Sequence, residues 1–171
     1  MLLWRLSGRQ HARAFDGGYG LLFDGRWNTV GHAVTYCATS PSLCVLEKLV
    51  HIEDPALLPE LIMVAYEAPD ALAVETVTLD RLPHDWRSDE ARTQQRGDKW
   101  HRRRATALLR VPSAVVPIAG SPDLNVLINH THEDVSQIVM VTAEPFALDL
   151  RLFQARPTTL ILAPPLDIPP S

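Results

Sequence analysis

Apolar residues in this chain gather in short runs of strand length, separated by turn-forming stretches, and that spacing limits the fold to one rich in β-structure. Leu2–Leu6, Ala33–Ala38, Leu61–Tyr66, Leu72–Val77, Val111–Pro117 and Leu124–Ile128 each read as a strand, and Gln137–Val141 and Pro145–Leu150 complete the β-rich half. Two helices interrupt them. Ser40 or Pro41 opens one that runs to about Ile52, because proline suits a first helical position. Ser88 reads as the N-cap of the other, with Asp89 and Glu90 in its first turn, a kink near Gly97 and an end at about Leu109. Strands and helices do not alternate strictly, which predicts an α+β fold with helices on mostly antiparallel sheet.

Five glycines, at 17, 18, 20, 25 and 31, lie between the first two strands, so this segment can turn sharply and bring backbone close to a ligand. From Arg156 onward, prolines 157, 164, 165, 169 and 170 exclude regular structure. The expected organisation is therefore one domain over 1–155 and a proline-rich tail over 156–171.

With 171 residues, 46% of them apolar, the chain is long enough to bury a real core. A net charge of −4 argues against a protein dominated by nucleic-acid binding. No apolar run reaches the roughly 18 residues of a membrane span, and the first thirteen residues lack the apolar stretch of a signal peptide. The expected location is the cytoplasm. Cys37 and Cys44 fit no metal or redox spacing and read as buried free thiols.

Four residue types stand out chemically. Arg26, in Gly25-Arg26-Trp27-Asn28, is either a solvated loop arginine or a planar clamp for phosphate oxygens. Tyr36, within a strand, is either a core residue or a ring that stacks on a flat ligand. Glu47 falls on the stripe of Leu43, Leu46 and Val50, so its carboxylate faces inward and needs either an arginine that satisfies it structurally or a ligand pocket to line. Ser113 caps a turn or supplies a hydroxyl to a site.

Taken in order, Gly25-Arg26-Trp27-Asn28, Tyr36, Leu46-Glu47, Trp86-Arg87, Gly97-Asp98-Lys99-Trp100, Arg110-Val111-Pro112-Ser113, Asn125-Val126-Leu127-Ile128-Asn129 and Asp149-Leu150-Arg151-Leu152 resemble the RES domain, named for its arginine, glutamate and serine. The resemblance covers roughly residues 4 to 153. It implies a fold similar to ADP-ribosyltransferases and a toxin of a bacterial toxin–antitoxin pair, with an Xre-type antitoxin as partner. It implies attack on the nicotinamide–ribose bond of NAD+, with ADP-ribose passing to water, phosphate or a protein, and no metal. By the same resemblance Glu47, Arg26, Tyr36 and Ser113 are catalytic, and Arg26, Asn28, Tyr36, Ser113 and Asn125 hold NAD+. The chain departs from the family's habits at Asn129-His130, at His132-Glu133, at Ile118–Asp123 and at Leu150. None of these departures removes a name-giving residue.

Two rivals have weaker support. His130-Thr131-His132-Glu133-Asp134 contains metal-ligand types without a metal-site spacing. Lys99-Trp100-His101-Arg102-Arg103-Arg104 is basic with an aromatic, which is the pattern of a nucleic-acid or partner-binding module without catalysis.

Overall fold

The computed structural model describes residues 1–54 and 57–153. These residues form a mixed α+β fold built on one seven-stranded sheet. In chain order the strands are β1 (Leu2–Gly8), β2 (Val34–Ala38), β3 (Leu61–Glu67), β4 (Val74–Thr76), β5 (Leu108–Pro112), β6 (Leu124–Asn129) and β7 (Val139–Phe146). The helices are α1 (Gly18–Leu22), α2 (Pro41–Leu49) and α3 (Glu90–Arg103). The spatial order is β4-β5-β6-β2-β1-β3-β7. Only β4 and β5 run parallel; the other pairings are antiparallel.

The sheet is nearly two sheets. β1 pairs with β3 along its whole length, but meets β2 only where Trp4 lies opposite Ala38. Side chains alternate across each strand. Leu3, Val64 and Tyr66 of one half therefore meet Cys37, Leu108, Val126 and Ile128 of the other in a shared core. The opposite face of β5, β6 and β2 carries Leu109, Val111, Leu127 and Val34, covered by Trp27, Trp86 and Trp100. α2 packs Leu43 and Cys44 against Ala38 and Met63. Cys37 and Cys44 are buried and free, and burial raises both thiols well above their ordinary range.

Several boundaries differ from the sequence reading. Asp89, not Ser88, caps α3, accepting from Arg92 N at 3.1 Å, while Ser88 Oγ closes the preceding turn on Asp85 O at 3.0 Å. α3 runs through Gly97 and stops at Arg103, where Arg104 takes a left-handed conformation (φ 48°). Leu108 and Leu109 then enter β5, because each gains a buried face there, which outweighs their helix preference. β5 ends at Pro112, so Val111–Pro117 is not one strand. Leu72–Val77 shortens to the edge strand β4. Gln137–Val141 and Pro145–Leu150 are replaced by one strand, β7, bulged opposite Ala65 and Tyr66. Pro145 is tolerated because β7 is an edge. α2 ends at Leu49 rather than Ile52, and its buried face is Leu43 and Cys44; Leu46 and Val50 are exposed. The proline-rich tail lies outside the described residues.

Beyond β6, His130 is lodged beside the shared core. Its ring meets Phe15 edge-on, with centroids 4.7 Å apart, and Nε2 lies 2.8 Å from Thr35 Oγ1. Burial, helped by the charge of Arg5, holds its pKa down at about 4 against the ordinary 6.5. The unfolded chain takes up this proton below 6.5, whereas the folded chain waits until about 4. Stability is therefore intact above 6.5 and declines as the pH falls from 6.5 to 4. Urea unfolding across that range should show the decline, and His130→Gln should flatten it. Equal slopes in the two proteins would refute this assignment.

Candidate active site

Glu47 enters the site from α2. Ser40 caps that helix, accepting from Leu43 N at 3.2 Å, and Glu47 follows Cys44 by three residues and Leu43 by four, on the buried face. One carboxylate oxygen does all the work of holding it. Oε1 accepts from Ser113 Oγ at 2.8 Å and from Asn125 Nδ2 at 2.6 Å. Oε2 has no partner among the described residues. Among the described residues no arginine pairs with Glu47; its partners are neutral donors.

Ser113 is fully buried and its hydroxyl is saturated. It donates to Glu47 and accepts from Val115 N and Val116 N, both at 3.0 Å. This side-chain-closed turn is what ends β5. Asn125 opens β6 opposite Val111 and next to Ala38, so the sheet register delivers its amide to Glu47.

A second cluster lies further along β2. Tyr36 shares the face of Ala38, two residues away, a separation of roughly 7 Å along a strand. Its hydroxyl donates to Asn28 Oδ1 at 2.8 Å and accepts from Trp27 N at 2.9 Å. Burial pushes this phenol far above its ordinary range, so it stays protonated. Asn28 is buried, and its Nδ2 donates to Phe23 O at 3.3 Å and Thr29 O at 3.0 Å. Gly25 and Asn28 exchange backbone hydrogen bonds at 2.9 and 3.3 Å, leaving Arg26 and Trp27 at the tip of a tight turn. A Cβ at Gly25 would sit 2.8 Å from the Tyr36 hydroxyl, so the turn can close on Tyr36 only with glycine there. Trp27 points into the core and tilts against Trp86, centroids 6.2 Å apart. Arg26 points outward, half-buried, donating to Arg87 O at 3.1 Å. It is paired with no carboxylate among the described residues.

The structure thus joins Glu47, Ser113 and Asn125 in one cluster and Arg26, Tyr36 and Asn28 in another, both on the same side of β2 and β6. Sequence reasoning missed how completely Asn28, Tyr36 and Ser113 are used within the chain. Their burial was the signal, and it depends on a register that only the fold supplies.

The rival motifs have other employment. His130 packs as described above, and His132 Nδ1 accepts from Asp134 N at 3.1 Å, closing a turn. Among the described residues, no three His, Cys, Asp or Glu side chains converge as metal ligands. Trp100 is buried at 1% exposure, so the basic segment 99–104 offers no exposed aromatic for stacking a base. Arg103 is paired with Glu75. No helix among the described residues is long and apolar enough to cross a membrane. A cavity of about 810 Å³ opens where β3 meets β7, but its lining acid, Glu60, is paired with Arg9, and the Glu47 cluster lies elsewhere.

Replacing Tyr36 by Phe should cost about 1–3 kcal/mol in urea unfolding, because Trp27 N and Asn28 Oδ1 lose their partner in a buried setting. An unchanged midpoint would mean that the turn is held by other contacts.

The chain is similar to known proteins over most of its length. The model of the RES domain matches residues 2–149. The chain is 31% identical over 159 residues to Toxin Res of Photorhabdus laumondii, covering 91% of this chain and 99% of that protein. It is 36% identical over 157 residues to Toxin Res of Yersinia enterocolitica, covering 89% and 99%. It is 32% identical over 160 residues to the Prs ADP-ribosylating toxin of Sphingobium sp., covering 88% and 96%. Among solved structures, the fold is similar to one from the M. tuberculosis MbcT–MbcA toxin–antitoxin complex, with a TM-score of 0.66 at 18% identity, covering 85% of this chain and 83% of that one. With the RES-domain model matching residues 2–149, nearly the whole described chain, this protein belongs to the RES-domain toxin family.

Proposed function

We propose that this chain is a toxin that cleaves the nicotinamide–ribose bond of NAD+ and passes ADP-ribose to water, phosphate or a protein. The observation that carries this reading is the Glu47 carboxylate, held by two neutral donors on one oxygen and, among the described residues, unpartnered on the other. Support also comes from the 32% identity to an ADP-ribosylating toxin, and from a sheet divided into two halves, an architecture consistent with an ADP-ribosyltransferase-like fold.

Cleavage breaks the C–N bond with its electron pair leaving on neutral nicotinamide, so positive charge gathers on the ribose. Glu47 stabilises that charge through Oε2, and its fixed orientation means little reorganisation is needed as charge develops. The acceptor then bonds to the anomeric carbon and gives up its proton. Ser113 and Asn125 hold Glu47 rather than contact the substrate through the atoms already engaged. Arg26 takes the pyrophosphate, for which a planar guanidinium with no carboxylate partner is suited. Asn28 and the Tyr36 hydroxyl set the turn that presents Arg26, leaving the Tyr36 ring face as the part that can meet nicotinamide. None of these roles needs a metal. The partner is an Xre-type antitoxin, and the site of action is the cytoplasm, where NAD+ is available.

The test is product analysis of the purified chain with NAD+, with and without phosphate and with and without cell lysate. Free nicotinamide should appear, and Glu47→Gln should lower its rate at least about a hundredfold, the scale of losing one preorganised electrostatic contact. ADP-ribose, its 1″-phosphate or a labelled protein then names the acceptor. Nicotinamide release at the parent rate from Glu47→Gln would overturn the assignment.

A further inference from the structure

The turn that carries Arg26 is fastened to α3 at three places on one helical face. Gln94 Nε2 donates to Gly25 O at 3.1 Å. Gly97 lies against Trp27 so closely that an added Cβ would stand 1.8 Å from the Trp27 carbonyl oxygen. Asp98 accepts from Thr29 N at 2.9 Å and from Thr29 Oγ1 at 2.7 Å. These contacts fall on both sides of Arg26 in the sequence. The spacing of 94, 97 and 98 puts all three residues on the same face of the helix.

Gly97 and Asp98 are weak helix formers side by side in the interior of α3. Nothing in the helix itself calls for them. Gly97 is where the chain's backbone comes closest, and the buried Asp98 spends its carboxylate on the turn rather than on its own helix. His32 Nδ1 stands 3.4 Å from Asp98 Oδ1. Local preference gives way where an outside requirement is stronger, and here the requirement is the turn.

We infer that α3 is the platform that sets the position of Arg26, with Gly97 and Asp98 acting as positioning residues that control substrate affinity through that arginine. The inference rests on the reading of Arg26 as the pyrophosphate ligand. Gly97→Ala suits the helix but forces the Trp27 carbonyl outward, taking Arg26 with it. Asp98→Ala releases Thr29. Thr29→Val, at an exposed residue and therefore safe for folding, loses one of the two bonds. Asp98→Asn keeps both, since the Thr29 hydroxyl can turn to accept.

The experiment measures NAD+ affinity by calorimetry in the Glu47→Gln chain, where substrate is consumed at least about a hundredfold more slowly, together with the thermal midpoint. Gly97→Ala and Asp98→Ala should each weaken binding about tenfold and Thr29→Val about threefold, with Asp98→Asn within about twofold of the parent, given that sub-ångström placement of a clamp governs such contacts. In an Arg26→Ala background the same changes should alter affinity less than about twofold, because the residue they act through is gone. Their effect on the thermal midpoint should be the same in both backgrounds. Equal losses of affinity with and without Arg26, or a Thr29→Val chain and a folded Gly97→Ala chain that bind NAD+ like the parent, would overturn the inference. If Arg26→Ala alone left affinity unchanged, the pyrophosphate reading would fail first, and the inference with it.

Discussion

The bond pair on Glu47 Oε1 ties together three elements that are distant in the chain. α2 brings the carboxylate, the turn after β5 brings Ser113, and the first residues of β6 bring Asn125. A carboxylate on the buried face of a helix is costly unless its oxygens are solvated or hydrogen-bonded. Here neutral donors meet one oxygen, and among the described residues no cation pairs with the carboxylate. That choice matters chemically. An arginine at this place would cancel the negative potential that, in the proposed reaction, stabilises the cationic ribose. Ser113 is also the reason the strand stops where it does, so the same hydroxyl shapes the local chain and aims Glu47.

The second cluster follows from the first through the sheet. Tyr36 and Ala38 share a face of β2, and Ala38 lies opposite Asn125. The Tyr36 hydroxyl then fixes the Gly25–Asn28 turn, and with it Arg26. Two anchored groups, one anionic and one cationic, stand on one side of one short strand pair. Arg26 stands on a turn tied to Tyr36 of β2 and Glu47 on a helix tied to Asn125 of β6, so each is anchored to the sheet through a partner.

Much of this was legible in the sequence. Leu2–Leu6, Ala33–Ala38 and Leu124–Ile128 match strands within one or two residues, because their alternating burial on both faces leaves apolar runs with clear limits. Glu47 was found for a partly mistaken reason. It does face inward, but beside Leu43 and Cys44, while Leu46 and Val50 are exposed. The error at Gly97 is more instructive. A glycine inside a helix reads as a kink when only its own helix is considered, whereas the structure has it as the space for Trp27's carbonyl, a contact between residues seventy positions apart on the order of the chain's half-length. Leu108 and Leu109 were drawn into the helix by propensity, and pairing with β6 decided otherwise. Helix α1 was not foreseen within the glycine-rich segment, where Asp16 Oδ1 accepts from Gly18 N at 2.9 Å.

The role proposed for Glu47 in NAD+ removal is tested by the NAD+ content of bacterial cells before and after induced expression. NAD+ should fall as growth stops when the parent chain is made, and both should hold steady when Glu47→Ala is made to the same level. Growth arrest with undiminished NAD+, or an equal fall with Glu47→Ala, would contradict it.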